Sequence, residues 1–402
     1  MQPLSCCAVL GPQASPHVPA DQRVTGVIAA TMSAVRRTVT ESLGWHTRVA
    51  LARGDVPRGW RGHRGRLCAS ILAVCGLTMI LGVPAAGAYP LPVTVTGDTL
   101  ITDPAMAIRP SAPRYVLYGT HNRSLLSNDR LAFSWGGLIF PVTPSWWAPY
   151  SSGDMWAPDV SFHNGQYWMY YAVSKLGSQF SAIGLATSPT GLPGNWTDQG
   201  PVISSDATKP YNAIDPNLMV DAGGNWWLTF GSYWGGIYIV SIDASTGKLN
   251  AANPTPANIA QRPTVAGDPI EGGFVYQHNG AYYLFASYDY CCEGSLSTYK
   301  IKVGRATSPT GPYVDESGTS VLNNGGTLIL AGHDYVAGPG GESVYYDTAD
   351  SHDVLVYHYY DTRSDGQAFL GFNEYGEVRF DGQAFLGINY LGWDANDFPY
   401  VY

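Results

Sequence analysis

Four acidic residues stand at equal intervals along the chain: Asp103, Asp159, Asp215 and Glu271, each 56 residues after the one before. The spacing is weak on its own and gains meaning only if the intervening segments repeat as well. If they do, the four carboxyls occupy equivalent places in successive units and can converge on one spot. Converged acids raise one another's pKa because like charges disfavour ionisation, so such a cluster calls for a cation or for a reaction that moves protons. Inverting glycoside hydrolysis is one such reaction. One carboxylate activates water, and a second carboxyl, still protonated, donates to the leaving oxygen, with about 6.5 to 9.5 Å between them. Glu271 has the surroundings of the donor: Pro269-Ile270-Glu271-Gly272-Gly273-Phe274 is an apolar and weakly polar stretch that would keep a carboxyl neutral near pH 7. Asp103, as the ionised partner, should be wetter.

The flanks do repeat. After Asp159 come Val160-Ser161-Phe162, Asn164-Gly165 and the aromatic run from Tyr167 to Tyr171. After Asp215 come Leu218-Met219-Val220, Gly223-Gly224-Asn225 and Trp226-Trp227-Leu228. After Glu271 come Phe274-Val275-Tyr276, Asn279-Gly280 and the run from Tyr282 to Phe285. Asn-Gly between apolar runs is a strong hairpin signal, since both residues accept the positive φ of a type I′ turn. A third strand is legible at 183–191 and again at 303–311, both ending Ala-Thr-Ser-Pro-Thr-Gly. Each unit is therefore a small antiparallel meander. It cannot bury both faces alone, and consecutive meanders pack as a propeller whose first strands line a central channel.

The expected fold class is all-β, a five-bladed β-propeller. Its fifth blade starts near Gly338-Pro339-Gly340-Gly341-Glu342-Ser343 and continues through Val354 to Tyr360. That blade is out of phase with the repeat, so a longer loop is expected between blades four and five. Asp365 to Asn373 nearly recurs as Asp381 to Asn389, which reads as an extra edge hairpin on blade five.

Composition agrees with this architecture: only 13% of residues are charged, while 47 Gly and 28 Pro punctuate the chain, favouring short strands and turns over long surface helices. The first 88 residues differ from the rest. Residues 1–60 read as an irregular leader or a mis-called start. Residues 61–88 read as a secretory signal: Arg61, Arg64 and Arg66 precede an apolar run over 67–83, and Ala86-Gly87-Ala88 offers cleavage before Tyr89. The alternative is a membrane anchor, for which the run is at the short limit. Residues 89–402 are expected to form the catalytic propeller, outside the cell and monomeric.

The whole chain carries 22 Lys and Arg against 31 Asp and Glu. The leader holds nine of the Arg and only Asp21, Glu41 and Asp55, so the propeller is more acidic still. Such a surface excludes nucleic acid and anionic membranes as partners and suits a neutral substrate. Cys6, Cys7, Cys68 and Cys75 lie in the leader. Only the adjacent pair Cys291 and Cys292 remains, either a vicinal disulfide or two thiols.

Several segments carry a family resemblance. Trp156-Ala157-Pro158-Asp159-Val160, Tyr211-Asn212-Ala213-Ile214-Asp215-Pro216-Asn217 and Gly231-Ser232-Tyr233-Trp234-Gly235-Gly236 resemble the arabinanase branch of glycoside hydrolase family 43. So do Tyr288-Asp289-Tyr290-Cys291-Cys292-Glu293-Gly294, Ser297-Thr298-Tyr299-Lys300 and Leu386-Gly387-Ile388-Asn389. The resemblance runs from about Gly97 to the C-terminus. It implies endo-acting hydrolysis of α-1,5-L-arabinan with inversion, with Asp103 as base, Glu271 as acid, and Asp215 tuning and orienting that acid.

Trp156, Asp159, Asn212 and Ser232 are candidate substrate contacts, and the same resemblance implies one Ca²⁺ in the central channel, held through His333 or His358 with waters. No organic cofactor is implied. Asp159 could equally cap a strand, and Trp156 could be core. Thr102 stands where the family often has His, and Glu342 where many members have His or Gln. Two other functions share these features. An exo-acting arabinofuranosidase or β-xylosidase would differ only in its loops, and a non-catalytic carbohydrate-binding propeller would have no use for a proton donor.

Overall fold

A computed structural model describes residues 89–402 apart from 365–370, 373–377 and 380–382. The leader, the signal segment with its cleavage site and four of the six cysteines lie outside the described residues. So does most of the first copy of the tandem segment, of which Gly371–Phe372 pairs with Val378–Arg379. The second copy, expected in an edge hairpin, instead begins the strand Ala384–Trp393, which lies inside its sheet between His352–Asp361 and Pro399–Val401.

Five antiparallel meanders follow one another along the chain. Blade one begins with the innermost strand Ala105–Ile108 and continues through Tyr115–Gly119, Arg123–Ser127 and Ala132–Leu138. Blade two is Trp156–His163, Gln166–Val173, Ser181–Ser188 and Thr197–Ser205. Blade three is Asn217–Val220, Trp226–Phe230 and Ile237–Asp243, edged by Lys248–Leu249 and Ala257–Ala260. Blade four is Ile270–His278, Ala281–Tyr288, Lys300–Ala306 and Thr327–Leu330. Blade five is Val336–Asp347, His352–Asp361, Ala384–Trp393 and Pro399–Val401.

The hairpins form where the sequence signals them. Asn164 and Gly165, at φ of 52° and 80°, join His163 to Gln166, and Asn279 and Gly280, at 47° and 77°, join His278 to Ala281. The third strands end earlier than their sequence suggests. Ser188 Oγ accepts the amides of Thr190 and Gly191 at 3.2 and 3.0 Å, so Ser-Pro-Thr-Gly folds into a turn where the proline could not have extended a ladder.

The longer loop also lies elsewhere than expected. Blades four and five are joined by residues 331–335 alone, and the extra length falls inside blade four, between Ala306 and Thr327. There a 3₁₀ turn at Val321–Asn323 and bridges from Val314 to Arg305 and Ser320 fold it back.

Five apolar clusters fill the five gaps between neighbouring blades, since each sheet must bury both faces. Met155, Val160, Met169 and Tyr171 of blade two pack on Ala105, Val116 and Tyr118 of blade one. The ring closes where Ile101, Met106 and Leu117 meet Val354, Val356, Leu386 and Ile388. The segment before blade one adds backbone bonds across that seam: Val93 N to Ile388 O at 2.8 Å, Leu386 N to Thr99 O at 2.8 Å and Ile101 N to Ala384 O at 3.0 Å.

Candidate active site

The innermost strands bring Asp103, Asp159, Asp215 and Glu271 to the lining of one cavity at the end of the channel. Asp103 and Asp215 sit just ahead of their strands with φ of 50° and 54°, in the left-handed region that Asp tolerates better than most residues. Each is pinned by its neighbour's carbonyl, Thr102 O accepting Thr120 N at 3.0 Å and Ile214 O accepting Gly231 N at 2.9 Å. Asp159 and Glu271 lie within longer strands, at shifts in register between Trp156 and Asp159 and between Glu271 and Phe274. Bulges of this kind re-aim side chains beside functional sites.

Asp103 keeps 28% of its side chain accessible, the wetter setting expected of it. Thr120 Oγ1 donates to its Oδ2 at 2.5 Å and accepts Ala157 N at 2.9 Å. His358, fully buried, places Nδ1 3.4 Å from Asp103 Oδ1 and 3.2 Å from Asp103 N. The Gly341 backbone lies against both. A Cβ there would stand 2.5 Å from Asp103 Oδ1 and 2.6 Å from His358 Nδ1, so only glycine admits this approach.

Glu271 receives two hydroxyls, Ser232 Oγ on Oε2 at 2.5 Å and Tyr299 OH on Oε1. Burial pushes its carboxyl up to about 7, opposed by the Ser232 hydrogen bond and reinforced by the charge of Asp103. Asp215 is raised well above the usual carboxylate range, again by burial first and then by Glu271 and Asp103, against the bond from Gly272 N at 3.2 Å. The repulsion between Asp215 and Glu271 therefore comes second to burial.

Asp159, raised to about 7 by burial, accepts Leu218 N at 2.8 Å and Asn217 Nδ2 at 3.4 Å. Asn217 in turn accepts Val275 N at 2.8 Å. This carboxyl both faces the cavity and ties blade two to blade three.

The remaining candidates are placed differently. Ser232 touches the acid directly. Trp156 is half-buried beside the cavity strand, its Nε1 3.3 Å from Asp154 Oδ2. Asn212 is buried away from the cavity lining, tying Ser205 and Ser178. His333 is not brought to the cavity, because its ring nitrogens lie 2.9 Å from Ala331 O and 3.2 Å from Pro90 O.

Among the described residues no three His, Cys, Asp or Glu side chains are set to hold a metal. A single histidine with waters, as expected for Ca²⁺, is a different arrangement; of the two candidates His358 stands beside Asp103, and no step below is routed through a metal. Cys291 and Cys292 are joined in a vicinal disulfide.

Sequence reasoning missed Thr120, Tyr299 and Glu342 as site residues. Tyr299 and Glu342 both line the cavity. Their motifs were visible, but Tyr299 follows a loop and Glu342 is out of phase with the repeat.

Residues 98–375 match the family model described as glycosyl hydrolases family 43. The chain belongs to glycoside hydrolase family 43. Among relatives of this family member, a probable arabinan endo-1,5-alpha-L-arabinosidase A of Aspergillus clavatus is 43% identical over 302 residues, covering 72% of this chain and 92% of the relative. The extracellular endo-alpha-(1->5)-L-arabinanase 1 of Bacillus subtilis is 40% identical, covering 76% and 93%. The solved endo-arabinanase of Bacillus licheniformis superposes with a TM-score of 0.67 at 38% identity, covering 76% and 99%. An exo-1,5-alpha-L-arabinanase from a bovine ruminal metagenomic library does so at 0.66 and 33%, covering 75% and 97%.

Proposed function

We propose that this chain hydrolyses internal α-1,5-L-arabinofuranosidic bonds of arabinan with inversion. The observation that carries this reading is the meeting of Asp103, Asp215 and Glu271 in one cavity, with Glu271 raised to about 7 and the Asp103 side chain 28% accessible. Water attacks the anomeric carbon from the face opposite the leaving group. Asp103, oriented by Thr120 and the Gly341 backbone, takes the proton that water loses. Glu271 gives its proton to the glycosidic oxygen, so the bond breaks into a new reducing end and a free hydroxyl. Asp215 acts through Glu271: the two carboxyls lie together and cannot both ionise easily, so the pair retains a proton for the glycosidic oxygen. Ser232 and Tyr299 fix the direction of the acid.

Reducing-sugar release from debranched arabinan tests the activity, and no release would overturn it. Exo action is the second reading, favoured by the likeness to the rumen exo-arabinanase. A spread of oligomers supports endo cleavage, whereas a single small product from the first minutes supports exo. Proton NMR of the first-formed sugar tests inversion. Export is part of the same proposal, resting on the basic flank and apolar run before Ala86-Gly87-Ala88. N-terminal sequencing of the secreted protein should begin at or near Tyr89.

A further inference from the structure

Besides Asp159, which ties two blades together, the mechanism leaves a second buried acid of the cavity unused. Glu342, on the innermost strand of blade five, is 5% exposed and lines the same cavity as Asp103 and Glu271. Its Oε2 is anchored by Ser287 Oγ at 2.6 Å, and Ser287 accepts Gly341 N at 2.8 Å. Ser287 stands opposite Glu271 in the strand register. The anchor therefore spans blades four and five and fixes Glu342 next to the backbone that supports Asp103. The second oxygen, Oε1, is buried and has no hydrogen-bond partner in any other residue. A buried polar atom without a partner costs about 1–3 kcal/mol, and in an active-site cavity the missing partner is most simply the ligand.

We propose that Glu342, as a neutral carboxylic acid, is a further substrate-binding residue whose Oε1 pairs with a hydroxyl of the sugar unit being cleaved. A neutral carboxyl offers an acceptor and a donor, which suits a sugar hydroxyl. An ionised one would add to the carboxyls already facing it: Asp103 from blade one, Asp159 from blade two, Asp215 from blade three and Glu271 from blade four, with Tyr299 beside them. His358 lies on the adjoining strand, paired in register with Gly340. Burial first, and then the charges of Asp103 and Glu271, push Glu342 up to about 8, in keeping with a neutral form at the pH where Glu271 can donate. Glutamine has the same shape and the same pair of groups without the ionisation.

This assignment rests on the hydrolytic reading, and the experiment separates the two. Glu342→Leu and Glu342→Gln are compared with wild type on linear arabinan, with thermal melting as the check on folding. Glu342→Leu should lower kcat/KM roughly tenfold or more and weaken calorimetric binding of arabino-oligosaccharides to match, whereas Glu342→Gln should recover most of that loss. Above pH 8 the wild-type fall in kcat/KM should steepen as two groups ionise, and Glu342→Gln should show the shallower fall of one. A Glu342→Leu protein as active as wild type, or a folded Glu342→Gln as poor as Glu342→Leu, would overturn the assignment. A wild type that binds the oligosaccharides and cuts nothing overturns the hydrolytic reading, while calorimetry on the same variants still judges Glu342.

Discussion

Asp103 and Asp215 share a left-handed backbone and a following proline, yet their surroundings differ, and the proposed mechanism gives them different tasks. Asp103 touches a hydroxyl, a buried imidazole and solvent, and Asp215, half-buried, has Glu271 as its charged neighbour. Asp103→Asn and Glu271→Gln should each lower kcat on arabinan by about 10²-fold or more with melting temperatures near wild type; near-normal turnover in either folded variant would remove it from the mechanism. Asp215→Asn should act on the pH profile. The alkaline limb reports loss of the proton that Asp215 and Glu271 hold between them, which the second charge of the pair delays. Without that charge the limb should move to lower pH while the acidic limb stays. If KM rises instead and the profile of kcat holds still, Asp215 binds sugar and does not tune the acid.

At the scale of the strand, three of the five innermost strands carry register shifts close to the cavity, and these aim alternate side chains inward where a regular pleat would not. Asp159 shows what such a strand must accommodate. It spans two blades through Leu218 N, and burial raises it to about 7. A carboxyl raised on folding contributes stability that is full below its unfolded value near 4 and is lost as pH climbs through about 7. Asp159→Asn keeps an acceptor and cannot ionise. Its melting temperature should therefore gain on wild type between pH 4 and pH 8, whatever the offset at pH 4. A constant difference across that range would show that Asp159 is not protonated in the folded state.

The five blades close into a ring, and its last gap depends on contacts between the first and last blades. Leu386, 1% exposed, lies in the cluster that joins them, and its amide bonds to Thr99 across the seam. Leu386→Ala should cost about 2–5 kcal/mol, read from the denaturant midpoint. Because Asp103 sits on blade one beside that seam and Glu271 on blade four, tryptophan fluorescence and hydrolysis should be lost together. Activity that fails well before the fluorescence changes would mean that the seam opens locally without unfolding the ring.

Periodicity made the repeat, the hairpins and the meeting of four carboxyls in one cavity legible, because strand alternation, Asn-Gly turns and a fixed 56-residue phase are local properties of the chain, while the roles proposed for three of those acids came from the family resemblance. Local pattern also misled in two places. Ser-Pro-Thr-Gly continues an apolar run but turns away through the Ser188 side chain, and the extra length before blade five folds back inside blade four. What only the tertiary structure decided are the contacts made by residues far apart in sequence: Thr120 on Asp103, Tyr299 on Glu271, Gly341 against His358, and the buried Glu342 with its open oxygen. Nothing in the phase of the repeat announces them. They exist because closing five blades into a ring brings strand ends and loops together at one end of a channel, where burial then sets which carboxyls hold their protons.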